Sequence, residues 1–324
     1  APLDQIVRDL PCEIVRRPDE NNVLGHVSVN WADDMPPRLA YHTEFHGCSL
    51  GPIGLTEPEA FIELPKASDD AQIVGSAAMI DAPLRETMDA AFDGSYGEGT
   101  RTTAVIVSGP EGDGTWKYAE GFGPATPQRT WSVAKSIAAT LIGSVVQTGE
   151  ATVDDPINLN LWRRYGDPRR GLTIDHMLRM ASGRYSDTPG NRTDAIYWGG
   201  ATVNERATTW PVIHKPGAVF RYANNDTLMA VKAVEAYLTY YPPSEFFEKM
   251  GMDHTVAETD WQGNYILSSQ VWSTAPDLMR LGQLYLNNGM WNGERLLPEN
   301  WREYVSSPSG PQPEGLPIGY GAGF

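Results

Sequence analysis

Apolar side chains recur at helical spacing between Val133 and Val146, directly after a segment rich in proline and glycine. The Gly-Pro and Thr-Pro pairs at 123–127 oppose a helix within that segment. The apolar positions that follow come every three or four residues and stop at Gly149. The pattern predicts a helix that begins at Ser132 and ends at Gly149.

Similar patterns predict other helices and strands along the chain. An apolar face at helical spacing predicts a helix over 83–93. Apolar and β-branched residues at 102–108 and 115–120 predict two strands joined as a hairpin. Further helices are predicted over 172–180, beginning near Thr173, over 225–238 and over 276–286, followed by a hairpin turn at 291–294.

The predicted elements divide the chain into three parts. Prolines interrupt residues 1–80, which we interpret as an irregular N-terminal lead. Residues 81–150 and 271–324 are predicted to form an α/β lobe, and 151–270, with few strand signals, a mainly helical lobe. Within the helical lobe, residues 184–215 form a long aromatic loop system that either walls a substrate cleft or packs structurally. Its candidate substrate-binding residues are Tyr185, Tyr197 and Trp198.

The composition favours an enzyme with mixed helices and strands. The chain has 324 residues, 41% hydrophobic and 20% charged, so it can bury a large core. Its formal net charge of −16 repels phosphate backbones and anionic lipid surfaces, so nucleic acid is not an expected partner. The longest apolar run, at 137–146, is about half of the roughly 20 residues that a membrane-spanning helix needs, so no membrane span is expected.

Cysteine and histidine usage limits the disulfide and metal chemistry. Cys12 and Cys48 are too few for a disulfide scaffold, and they either pair with each other or remain separate thiols. His42 and His46 could hold a metal on a helix, but no third ligand accompanies them, so we expect no metal and no cofactor. The chain begins at Ala1 without Met, which favours a periplasmic or secreted enzyme over the cytoplasmic alternative.

Candidate chemistry lies at the predicted start of the long helix. Lys135 follows Ser132 by three residues, so the two side chains lie on the same helix face. The lysine amine would accept the proton of the serine hydroxyl as the oxygen attacks a carbonyl. The helix N-terminus adds partial positive charge where an oxyanion would form. The pair predicts a serine nucleophile with a lysine base.

A second segment, residues 216–224, places Tyr222 and Asn224 after a Pro-Gly turn and before a predicted helix. A phenol at this exposed corner could face the serine and lysine, acting as base toward the serine and as acid toward the leaving group. Asn224 would offer its amide to a substrate carbonyl or to Lys135. The chain holds another Tyr-x-Asn at 285–287, inside a predicted helix, where we expect a core tyrosine.

A competing nucleophile is Ser49, because residues 47–51 match the G-x-S-x-G pattern of an α/β-hydrolase elbow. That elbow requires a helix directly after the serine. Here Pro52, Gly54 and Pro58 follow instead. Ser49 is therefore kept only as an alternative hypothesis.

Five segments occur in the order seen in the penicillin-recognising serine hydrolases, and the chain resembles their class C β-lactamase branch. They are Trp-Ser-Val-Ala-Lys-Ser at 131–136, Asp-Asp-Pro at 154–156, Met-Ala-Ser-Gly at 180–183, Phe-Arg-Tyr-Ala-Asn at 220–224 and Thr-Ala-Pro-Asp-Leu at 274–278. The branch includes D,D-peptidases, esterases and 6-aminohexanoate-dimer hydrolases, and the first segment looks most like the last subgroup. The resemblance covers roughly residue 80 to the end. It implies an α/β (α+β) fold of the β-lactamase/transpeptidase type, with an antiparallel sheet flanked by helices, an all-α lobe and a cleft between them.

The resemblance also implies roles for four residues. Ser132 would be the acylated nucleophile, Lys135 its base partner, Tyr222 the general base and acid, and Asn224 a substrate-orienting amide. The family's third motif, a Lys/His-Thr/Ser-Gly or Trp/His-x-Gly strand that completes the oxyanion hole, is not found in its expected place after 319–324. We therefore expect a complementary C-terminal polypeptide that completes the sheet and the oxyanion hole.

The expected function is a metal-free serine hydrolase that cleaves a small-molecule amide or ester through an acyl-enzyme on Ser132. A 6-aminohexanoate-oligomer hydrolase or a carboxylesterase is favoured, and a β-lactamase or D,D-peptidase is the alternative. A catalytically silent binding module of the same fold is a further alternative, which the absent third motif suggests. The intact Ser132, Lys135 and Tyr222 argue against it.

Overall fold

Four short strands begin the fold. The computed structural model describes residues 13–15, 26–30, 32–43, 47–55, 82–109, 114–185, 193–315 and 317–324. The strands form one antiparallel sheet in chain order, β1 (Glu13–Val15), β2 (His26–Val29), β3 (Arg38–Thr43) and β4 (Gly47–Leu50). The predicted irregular lead at 1–80 thus contains a sheet. Strands of three to six residues are too short for an alternating pattern to stand out in the sequence.

A helix and a hairpin follow. Helix α1 (Ala82–Ala90) precedes strands β5 (Ala104–Ser108) and β6 (Gly114–Tyr118). The two strands pair antiparallel, with Ala104 opposite Tyr118 and Ser108 opposite Gly114. This confirms the helix predicted near 83–93 and the hairpin predicted from 102–108 and 115–120.

The long helix lies in the core. Strand β7 (Gln128–Arg129) leads within three residues into α2 (Val133–Thr148), for which Ser132 is the N-cap. Ten of the 16 residues of α2 are buried, so nearly its whole circumference is packed. Gly149 ends the helix with a φ of +83°, which glycine adopts at no steric cost. The predicted start and end of this helix are confirmed.

Short helices are the main regular elements of residues 151–270. They are the 3₁₀ turns Asn160–Trp162 and Pro168–Gly171, then α3 (Ile174–Leu178), α4 (Asp194–Tyr197), α5 (Val203–Arg206), α6 (Asn224–Ala233), α7 (Glu235–Tyr240) and α8 (Pro243–Lys249). The hydroxyl of Thr173 accepts a hydrogen bond from the His176 backbone N–H and so caps α3 at the predicted place. Helices α4 and α5 interrupt the segment 184–215 that was predicted to be a loop.

The single helix predicted over 225–238 is wrong in one respect, because α6 and α7 are separated at Val234. Its backbone (φ −107°, ψ 10°) departs from helical values. The Val234 N–H donates to the carbonyl of Val231, three residues back, so the backbone tightens at this point while the side chain stays buried in the core.

The last third of the chain adds strands beside β7, the strand that precedes α2. Strand β9 (Val271–Ser273) pairs antiparallel with β7 on one side and with β8 (Val256–Ala257) on the other. Helix α9 (Ala275–Leu286) packs against β5. Strands β10 (Met290–Trp291) and β11 (Glu294–Arg295) form the predicted hairpin, with positive φ at both Asn292 and Gly293.

Helix α10 (Trp301–Ser306) packs closely on α2. A Cβ atom at Gly143 would overlap the indole of Trp301, so the absence of a side chain at this helix position allows the contact. Within the described ranges, no helix is long and apolar enough to cross a membrane.

Candidate active site

Ser132 is exposed at the N-terminal end of α2. The residue before it, Trp131, has a φ of 48°, which is strained for a bulky side chain. This sharp turn takes the backbone from β7 into the helix and leaves the Ser132 hydroxyl accessible. The partial positive charge of the helix N-terminus lies beside that hydroxyl.

Lys135 lies one turn further into the helix and is buried, with 2% of its surface exposed. Its Nζ donates to Ser132 Oγ at 3.2 Å and to the backbone carbonyl of Ser268 at 2.8 Å. It also lies 4.8 Å from the ring centroid of Tyr222. Burial lowers the pKa of the Lys135 ammonium to about 7. A large fraction of the amine is therefore neutral near pH 7 and able to accept a proton.

Tyr222, just before α6, forms one cluster with Ser132 and Lys135. Burial raises the pKa of its phenol, a hydrogen bond with Ser132 opposes that rise, and the charge of Tyr197 adds to it. The phenol is therefore protonated at neutral pH and can donate a proton to a leaving group. The ring of Tyr320 meets that of Tyr222 edge-on, with 6.2 Å between their centroids.

Ser268 connects Lys135 to Tyr197 and was missed by the sequence analysis. The Tyr197 hydroxyl lies 2.6 Å from Ser268 Oγ, while Lys135 donates to the carbonyl of the same residue. Ser268 belongs to no recognisable sequence pattern and lies more than 130 positions from Lys135. Only the folded chain brings it to the cluster.

The other predicted site residues lie at different places. The Asn224 side-chain amide donates to Thr193 Oγ1 at 3.0 Å. Tyr185 packs its ring against Trp210, with 5.9 Å between centroids, outside the contacts that join Ser132, Lys135 and Tyr222. Trp198 packs beside Trp131, with 6.2 Å between their centroids.

Arg129, three residues before Ser132, is a second residue that the sequence analysis missed. Its guanidinium lies 3.8 Å from the ring centroid of Trp131 and 4.5 Å from that of Trp198. A cation in contact with two aromatic rings is a polar group held in place beside Ser132. An arginine next to the serine segment was the available signal, but its aromatic partner Trp198 is distant in sequence.

The competing hypothesis of an elbow serine is not supported. Ser49 lies within the antiparallel strand β4, and its buried hydroxyl donates to the carbonyl of Thr259 at 2.7 Å. An elbow serine instead follows a strand, is exposed and begins a helix. Residues 51–55, which follow β4, form a turn.

Little in the described residues points to metal or disulfide chemistry. The metal hypothesis required His42 on a helix, but His42 lies in strand β3. His46 lies outside the described residues. Cys48 is a free cysteine, and Cys12 also lies outside the described residues. Among the residues that the structure describes, no three His, Cys, Asp or Glu side chains cluster as a metal site.

The fold and the family comparison together assign the chain to a known family of proteins. The beta-lactamase family model matches residues 88–324, so the chain belongs to the beta-lactamase family. This confirms the resemblance to the penicillin-recognising serine hydrolases and the predicted fold of antiparallel strands and helices. Comparison with curated proteins by sequence gives no match.

Solved structures share this fold at low sequence identity. A protein provisionally assigned as a 6-aminohexanoate-dimer hydrolase, from Bacillus anthracis, superposes with a TM-score of 0.57 and 20% identity over 74% of this chain and 66% of that chain. A provisionally assigned β-lactamase from Bacteroides dorei gives 0.55 and 21% over 70% and 69%. An octameric penicillin-binding protein homologue from Pyrococcus abyssi gives 0.50 and 20% over 68% and 59%. The chain thus spans just under two thirds of the length of the first of these proteins.

Proposed function

We propose that the protein cleaves a small amide or ester through an acyl-enzyme on Ser132. The observation that carries this proposal is the 3.2 Å contact between the buried Lys135 amine and the exposed Ser132 hydroxyl. A serine hydroxyl is a weak nucleophile at neutral pH and needs an adjacent base. A lysine with its pKa lowered to about 7 by burial supplies one.

In the acylation step, Lys135 Nζ accepts the Ser132 proton while Oγ bonds to the substrate carbonyl carbon. The carbonyl oxygen becomes an oxyanion, which the backbone N–H of Ser132 and the N-terminus of α2 stabilise. The bond to the leaving group then breaks, and the departing nitrogen or oxygen takes a proton from the Tyr222 hydroxyl. The Lys135 ammonium then returns its proton to the phenolate oxygen of Tyr222, so that both residues regain their starting protonation states.

Deacylation reverses these roles. The Lys135 and Tyr222 pair accepts a proton from water as the water oxygen attacks the acyl carbon, and Ser132 Oγ leaves with a proton returned from the pair. The carbonyl of Ser268 fixes the lysine amine at 2.8 Å, so the amine stays beside the hydroxyl through both steps.

Among substrates, we favour a 6-aminohexanoate oligomer or a carboxylic ester over a β-lactam or a D-Ala-D-Ala peptide. The Trp-Ser-Val-Ala-Lys-Ser segment and the fold shared with the Bacillus anthracis protein support this choice.

A hydrolysis panel tests the proposal. We would compare nitrocefin, p-nitrophenyl butyrate, a D-Ala-D-Ala peptide and the linear 6-aminohexanoate dimer, using the wild-type protein and Ser132→Ala. We expect turnover of the butyrate ester or the dimer that Ser132→Ala abolishes. Turnover that persists in Ser132→Ala would refute the proposal, and the absence of both turnover and any covalent adduct would favour a silent binding module.

A further inference from the structure

Arg129 faces a cavity next to the catalytic cluster. The cavity has a volume of about 230 Å³, and its wall includes Arg129, Tyr197 and Trp198. Tyr197 is also the residue whose hydroxyl contacts Ser268, and the Arg129 guanidinium stacks on Trp131, directly before Ser132. The cavity is therefore connected to Ser132 and Lys135 through residues that they contact or adjoin, namely Trp131 and Ser268.

The guanidinium of Arg129 has unused hydrogen-bonding capacity on one side. Its Nε and Nη2 atoms are buried and donate to no acceptor within the part of the chain that the structure describes. These two nitrogens lie on the same edge of the planar group, and that edge matches the two oxygens of a carboxylate. Buried donors without a partner are costly, so this edge is suited to a ligand acceptor.

The carboxylate of Glu258, which lines the same cavity, is already engaged by other donors. Its oxygens accept from the backbone N–H of Cys48 at 3.2 Å, the indole of Trp272 at 3.0 Å and the amide of Gln270 at 3.2 Å. Burial also raises the pKa of Glu258 to about 7, so its negative charge is partly lost at neutral pH. The charge of Arg129 opposes that rise, so the two groups interact, but Nε and Nη2 of Arg129 donate to neither oxygen of Glu258.

The size and lining of the cavity indicate what kind of group it takes. Pockets that hold a whole small-molecule ligand are roughly 300–1,000 Å³, so a cavity of about 230 Å³ suits one end of a substrate. Leu50, Ile196 and Ile266 supply apolar surface beside the arginine. This combination matches an aliphatic chain that ends in a carboxylate.

We propose that Arg129 binds the carboxylate end of the substrate, so that the preferred substrates are amides or esters with an aliphatic arm ending in a carboxylate. This inference rests on the proposed hydrolase function for the identity of the bound molecule. The binding of a carboxylate by Arg129 does not depend on turnover and can be measured without it.

The test compares the binding of hexanoate with that of hexanamide, which has the same chain and no charge. Trp131, Trp198 and Trp272 lie at the cavity or beside the arginine, so tryptophan fluorescence reports binding directly. We expect hexanoate to bind more tightly than hexanamide by about 10- to 100-fold, as for a hydrogen bond to a charged group. In Arg129→Gln the ratio of the two dissociation constants should fall to near one, and in Arg129→Lys it should be partly retained.

Arg164→Gln is the matched control, because Arg164 is exposed and lies outside the cavity; it should keep the wild-type ratio. Equal affinity of the wild type for the two compounds, no binding of hexanoate, or a ratio that survives in Arg129→Gln would each overturn the inference. If Arg129→Gln does not fold, the ratio of the two dissociation constants in Arg129→Lys decides. A ratio below that of the wild type supports the inference, and an unchanged ratio overturns it. The same titrations on Ser132→Ala separate the two proposals. Carboxylate binding by Arg129 does not need the Ser132 hydroxyl, so this variant should keep the wild-type ratio of dissociation constants whether or not the panel supports the hydrolase function.

Discussion

The amine of Lys135 lies 3.2 Å from the hydroxyl oxygen of Ser132, with the amine buried and the hydroxyl exposed. The arrangement follows from three residues of separation on one helix that starts at Ser132. Because α2 continues into the core, Lys135 points toward the inside of the protein, while Ser132 remains at the surface of the site. One helix thus holds an accessible hydroxyl beside a desolvated amine, as the proposed acylation requires.

The pKa of Lys135 predicts the pH dependence of acylation. Burial lowers it to about 7, so the neutral amine predominates above that pH and the ammonium below it. The rate of acylation by p-nitrophenyl butyrate should therefore fall about tenfold per pH unit below the midpoint and level off above it. Stopped-flow measurements between pH 5 and 9 check this, and a midpoint above pH 9 would contradict it.

Replacing the base itself should have a large effect. Lys135→Met removes the amine but keeps much of the side-chain volume, and we expect acylation to slow by about 10²- to 10⁴-fold. Lys232→Met is a useful control, because Lys232 pairs with Glu235 and lies outside the cluster. Acylation at near wild-type rate in Lys135→Met would show that another group removes the serine proton.

Tyr222→Phe should affect amides more than activated esters. The substitution keeps the ring near Lys135 but removes the hydroxyl that is hydrogen-bonded to Ser132. An amide nitrogen needs a proton to leave, whereas p-nitrophenolate does not. We expect turnover of the 6-aminohexanoate dimer to fall at least about tenfold more than turnover of p-nitrophenyl butyrate.

The matched control for Tyr222→Phe is Tyr285→Phe, in the other Tyr-x-Asn. The Tyr285 hydroxyl lies 2.8 Å from Thr140 Oγ1 and belongs to the core. This variant should change thermal stability and leave the amide-to-ester ratio as in the wild type. Equal losses on both substrates in Tyr222→Phe would argue against its role as the acid for the leaving group.

Two glycine substitutions should have opposite effects on stability. Gly143→Ala places a Cβ into the indole of Trp301, so overpacking should lower the free energy of unfolding by about 1–3 kcal/mol. Gly282→Ala, within α9, meets no atom within 4 Å and should raise it by about 0.4–1 kcal/mol. Thermal melts of the two variants measure this, and a stabilised Gly143→Ala would show that the two helices can separate without cost.

Local patterns were enough to predict some parts of the structure. The start of α2 at Ser132 and the turn at 291–294 depend on residues that are adjacent in sequence. Turn chemistry and helical spacing are local properties, so the sequence reveals them directly. The Ser132 and Lys135 contact falls in the same class.

Contacts between distant residues could not be predicted in this way. Ser268 reaches Lys135 through a backbone carbonyl, which every residue type possesses. The position of Arg129 at a cavity depends on its contact with Trp198 and on residues near Leu50 that line the same cavity, and all of these are distant in sequence. These features depend on the tertiary fold.

The most direct test of the account is the site of covalent modification by a fluorophosphonate. Peptide mass spectrometry of the labelled protein should locate a single adduct on Ser132. Labelling should disappear in Ser132→Ala and persist in Ser136→Ala, the neighbouring serine whose hydroxyl donates to the carbonyl of Gly323. An adduct on Ser49 or any other residue, or undiminished labelling of Ser132→Ala, would contradict the assignment of Ser132 as the nucleophile.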